Sequence, residues 1–92
     1  MIRIFAVCGM GLGTSAILKS RLREALDATG VEYQLDVTDA SAVSGQQADL
    51  IFTSDELAQR MGRLPAKVVV IDNFMDREEI RRKAAEAVAD LA

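Results

Sequence analysis

The stretch Cys8-Gly9-Met10-Gly11-Leu12-Gly13-Thr14-Ser15 constrains this chain more than any other, because of what stands on either side of it. Residues 2–7 (IRIFAV) form a nearly continuous apolar run rich in β-formers, the pattern of a central strand covered on both faces. Residues 16–29 are amphipathic, with an apolar stripe of Leu18, Leu22, Ala25 and Thr29 widened by Ile17 and Leu26. Gly30 follows where a left-handed cap would end the helix. The spacing therefore predicts a strand, a glycine-rich turn and a helix capped by Thr14 or Ser15. Three alternating glycines let the backbone curl with its N–H groups inward, and the first helical turn adds unpaired donors and a positive dipole end. Such a turn is a socket for an oxyanion. A cysteine on its rim is expected to ionise readily, because the amides and the dipole stabilise the thiolate. The reading is a nucleophilic Cys8 that holds a phosphoryl group, with Gly9, Met10, Gly11, Leu12, Gly13, Thr14 and Ser15 binding the phosphate.

The rest of the chain continues the alternation. Residues 31–37 (VEYQLDV) alternate, with Val31, Tyr33, Leu35 and Val37 on one face, as in a half-exposed edge strand. Residues 38–47 are small and polar and read as a loop, with one helical turn around residues 40–43. Residues 49–53 (DLIFT) are a third strand, and Thr53 with Glu56 makes a capping-box pattern for a short helix through Met61, stopped by Gly62 and Pro65. Residues 67–71 (KVVVI) are a fourth, β-branched strand expected to be buried. Asp76 with Glu79 opens a last helix whose stripe is Ile80, Ala84, Ala87, Val88 and Leu91. The fold class that follows is α/β, a four-stranded parallel sheet with helices on both faces; strand order 2-1-3-4 and a phosphatase-like loop after strand one are expected with it. Ligands of such sheets bind beyond the carboxyl ends of the strands, so Asp55 and Asp72 share the rim of Cys8. Each is more ordinarily a cap or turn residue than an acid catalyst.

Composition narrows the chemistry. At 92 residues there is room for one domain, residues 1–92. Aromatics are 4% with no tryptophan, and the net charge is -3, which leaves little for nucleic-acid binding or anionic membranes. The longest apolar runs are far short of the ~20 residues that cross a bilayer, and the N-terminus lacks a basic n-region, so no membrane insertion and a cytoplasmic location are expected. One cysteine makes no internal disulfide, and without histidine it builds no metal site. The zero histidine count also excludes a Cys-His pair and a phosphohistidine carrier. No cofactor or metal is expected.

Among phosphate loops, a Walker A sequence needs Gly-Lys-Ser/Thr, whereas Thr14 follows Gly13 here. A dinucleotide fingerprint needs glycine or alanine at Thr14 and a longer chain. The loop resembles that of the low-molecular-weight tyrosine phosphatases, C-x5-R-S/T, but Thr14 replaces the arginine. That arginine grips two phosphate oxygens and stabilises transition-state charge. Its loss favours a phosphoryl carrier over a hydrolase; a small cysteine-dependent phosphatase or an anion-binding regulatory domain is the alternative.

The stretch C-G-M-G-L-G-T-S after a short first strand resembles the active loop of the IIB components of the bacterial phosphoenolpyruvate-dependent sugar phosphotransferase system, nearest to the ascorbate and galactitol type. The T-S-D-E-L stretch from Thr53 and the V-V-V-I-D-N-F-M-D segment from Val68 support it. The resemblance implies that Cys8 takes a phosphoryl group from a phosphohistidine of a IIA component and passes it to a sugar held by the membrane IIC component. Met10 and Leu12 would then be candidates for contacting those partners, and Arg21 and Arg23 for docking an acidic surface.

Overall fold

The computed structural model describes residues 1–7, 12–39, 42–45, 47–62, 64, 66–73 and 75–91, with the backbone alone for residues 12–15 and 44. Four strands and three helices alternate: β1 (Ile2–Val7), α1 (Leu12–Thr29), β2 (Tyr33–Thr38), β3 (Leu50–Thr53), α2 (Asp55–Met61), β4 (Lys67–Val70) and α3 (Arg77–Leu91), with a single 3-10 turn (Val43–Gly45) before β3. All pairings are parallel and the strand order is β2-β1-β3-β4. This is the expected α/β sheet. Its registers align Thr38, Val7, Thr53 and Val70 in one row across the carboxyl ends of the strands.

Two apolar clusters explain why the chain closes this way. Side chains alternate across a strand, so Ile4, Ala6, Leu50 and Phe52 face Leu18, Leu22 and Leu26 of α1 and Ile80, Ala84 and Ala87 of α3. Val7 and Ile51 point the other way, to Leu57 of α2 and Val43 of the 3-10 turn. Two helices thus cover one face and one short helix covers part of the other. Strand β2 lies beyond that cover, which leaves Gln34 and Asp36 exposed and accounts for the polar alternation in its sequence.

Several sequence expectations shift. Helix α1 begins at Leu12, so Thr14 and Ser15 lie inside its first turn rather than capping it, and Ile17 is 40% exposed rather than part of the buried stripe. Strand β2 starts at Tyr33, and the helical turn sits at residues 43–45. The α2 cap is Ser54, whose hydroxyl accepts from the Leu57 N–H at 3.3 Å, because Thr53 is still paired in the sheet. Strand β4 is half-buried, since it is an edge with one neighbour. Leu91 is exposed at the end of α3. Gly30 (φ 77) and Gly62 (φ 66) do end their helices in the left-handed region that a side chain disfavours.

Candidate functional site

Cys8, Gly9, Met10 and Gly11 lie outside the described residues, as do the side chains of Leu12, Thr14 and Ser15. What surrounds them is defined. Cys8 follows directly on Val7, the last residue of the strand that has a neighbour on each side. The 18-residue helix α1 opens at Leu12, where the N–H groups of Leu12, Gly13 and Thr14 have no partner within the helix. The carboxyl end of a central strand and a helix N-terminus therefore lie with four residues between them in the chain, at the sheet end where ligands of parallel sheets bind.

The other strands deliver polar groups to that end. Thr53, in register with Val7, is fully buried, and its hydroxyl has no hydrogen-bond partner among the described residues. Asp55 opens α2 and accepts from Gln59 Nε2 at 3.2 Å. Asp72 is exposed, with Oδ2 3.7 Å from Lys83 Nζ. Both acids therefore sit on segments leaving the carboxyl ends of the strands.

A clasp that the sequence pattern did not disclose stands beside them. Glu79 fits a capping box with Asp76, but its side chain reaches back further. Its Oε2 accepts from the Asp72 N–H at 2.6 Å and its Oε1 from the Asn73 N–H at 2.9 Å. Lys83 Nζ donates to the same carboxylate at 2.6 Å and to the Val70 carbonyl at 2.7 Å. Burial by itself pushes the Glu79 carboxyl up, and the Lys83 ammonium and the two backbone donors outweigh it, leaving the pKa below the ordinary value. The i,i+4 spacing of Glu79 and Lys83 was the one available signal.

The described residues also form concavities. One of about 360 Å³ runs over the uncovered sheet face past Arg3, Phe5, Gln34 and Asp36. It offers mixed charge, and Thr38 extends it to the carboxyl ends of the strands. Among the described residues no group of three or more acids, cysteines or histidines is placed to hold a metal, and no helix is long and apolar enough to cross a membrane.

The family model described as "PTS system, Lactose/Cellobiose specific IIB subunit" matches residues 3–86. The chain belongs to this IIB family. It is accordingly a component of the sugar phosphotransferase system, with phosphotransferase activity in the general sense. The ascorbate-specific PTS system EIIB component of Mycoplasma pneumoniae is 27% identical over 90 residues, covering 95% of each chain. A lactose-specific IIB domain from Streptococcus pneumoniae aligns with a TM-score of 0.49 at 17% identity, over 98% of this chain and 93% of that one. A low-molecular-weight phosphotyrosine phosphatase from Vibrio cholerae O395 aligns with a TM-score of 0.53 at 16% identity, over 99% and 96%. This IIB-family chain thus shares the phosphatase fold, as its first loop led one to expect.

Proposed function

We propose that the chain is a single-domain cytoplasmic phosphocarrier in which Cys8 accepts a phosphoryl group from phosphorylated IIA and hands it to a sugar bound by the membrane IIC component. The observation that carries this reading is that C-G-M-G-L-G-T-S starts at the residue after central strand β1 and runs into the first turn of α1, in a chain of the IIB family. The Cys8 thiolate attacks phosphorus in line; the S–P bond forms as the P–N bond to the IIA imidazole breaks, and the nitrogen keeps the electron pair. The amides of residues 9–15 and the hydroxyls of Thr14 and Ser15 hold the equatorial oxygens. In the second step a sugar hydroxyl attacks, the O–P bond forms, the S–P bond breaks and the thiolate is regenerated while the hydroxyl proton leaves to solvent. Thr14, standing where the phosphatases carry arginine, leaves attack by water slow. No cofactor is called on.

Incubation with phosphorylated IIA should leave one phosphoryl group on Cys8, read by intact mass, and Cys8→Ser should abolish it while the fold survives. Labelling of Cys8→Ser at full stoichiometry would sink the assignment. Rapid turnover of a phenyl phosphate by the wild-type chain would favour the phosphatase instead.

A further inference from the structure

Among the described residues the sheet core buries two polar side chains, Thr53 and Glu79, and the second organises a loop with no role so far. Residues 71–76 join β4 to α3, and all but Phe74 are among the described residues. Glu79 holds the N–H groups of Asp72 and Asn73, and Lys83 ties that carboxylate to the Val70 carbonyl. Asn73 Oδ1 accepts from the Met75 N–H at 2.9 Å, and its carbonyl accepts from the Asp76 N–H at 3.0 Å. Asp76 Oδ1 in turn caps α3 through the Glu78 and Glu79 N–H groups. The described residues of the loop are therefore held from both sides before any partner arrives.

On this held loop Met75 is 60% exposed, between the exposed carboxylates of Asp72 and Asp76. A long apolar side chain presented in a pre-ordered backbone enters a socket with little further loss of entropy, and a thioether adapts its shape to the socket. The flanking charge favours cationic groups around that socket, since Asp76 is exposed and Asp72, though paired with Lys83 at 3.7 Å, keeps 79% of its side chain exposed. Val70 stands in the same row as Thr53 and Val7, so the loop leaves the sheet two strand spacings, about 10 Å, from the end of β1. A protein delivering a phosphoryl group to Cys8 would cover it.

We infer that the loop of Asp72, Asn73, Met75 and Asp76, clasped by Glu79 and Lys83, is a docking element for the phosphoryl-donor protein, with Met75 as its apolar anchor. The inference rests on the phosphocarrier reading above. Glu79 is a positioning residue here, acting through the loop.

The test is phosphoryl uptake from phosphorylated IIA at rising donor concentration for the wild type, Met75→Asp, Met75→Leu and Glu79→Gln. Met75→Asp should raise KM at least about tenfold with kcat within about twofold, the signature of lost docking rather than lost chemistry. Met75→Leu should keep both constants within about twofold, and Glu79→Gln should raise KM and speed amide exchange at Asp72 and Asn73. Thermal melting and alkylation of Cys8 by iodoacetamide should not change in Met75→Asp. A wild-type KM in Met75→Asp overturns the inference and leaves the phosphocarrier reading standing. A wild-type chain that accepts no phosphoryl group overturns both.

Discussion

Glu79 shows how one side chain couples stability to pH. Its folded pKa is depressed, so its contribution is present above the unfolded value of about 4.5 and is lost as pH falls through the folded value. Melting temperature should therefore drop in acid as this carboxylate is protonated and releases the Asp72 and Asn73 N–H groups. Glu79→Gln should melt lower than the wild type at pH 7 and lose less on acidification; parallel acid profiles for the two proteins would contradict the assignment. This role was not legible in the sequence. A glutamate three residues after Asp76 fits a capping box, and only the return of β4 beside α3 brings the Asp72 and Asn73 N–H groups within its reach. Asp76 itself was legible, because a cap needs only its own helix.

The helices and strands divide in the same way. Replacing Ser54 or Asp76 by alanine should each cost about 1 kcal/mol in urea unfolding, as lost caps do. A larger loss at Ser54 than at Asp76 would mean that Ser54 does more than cap. The adjacent hydroxyls of Thr53 and Ser54 look alike to a capping rule; pairing of Thr53 with Val7 and Val70 decides that Ser54 caps α2. For the same reason the valines of β4 signalled a strand but not its exposure. β-Branching reports that a residue suits a pleated surface, and whether one or two neighbours flank that surface depends on strand order. Helix α1 opens at Leu12, ahead of the buried stripe that begins at Leu18. With that earlier start, the N–H groups without a partner inside the helix are those of Leu12 to Thr14 rather than those after Ser15.

The molecule as a whole is a sheet packed on two faces of unequal cover, and its stability should follow that inequality. Phe52, fully buried between β3 and the pair α1 and α3, should cost about 3–5 kcal/mol when replaced by alanine, while Val37→Ala on the open edge strand should change little. Equal losses by denaturant melts would contradict the two-cluster core. The α/β class and the four parallel strands were set by the sequence alone, because hydrophobic periodicity and glycine spacing are local properties. The IIB resemblance was legible for the same reason, in one contiguous motif. Tertiary structure alone decided which face each helix covers, which hydroxyl caps α2, the exposure of β4 and the Glu79–Lys83 clasp that holds Met75 outward. Helix cover, strand exposure and the choice of cap depend on pairing between strands far apart in the chain, and the clasp on how the turn between β4 and α3 folds back; a linear pattern records neither.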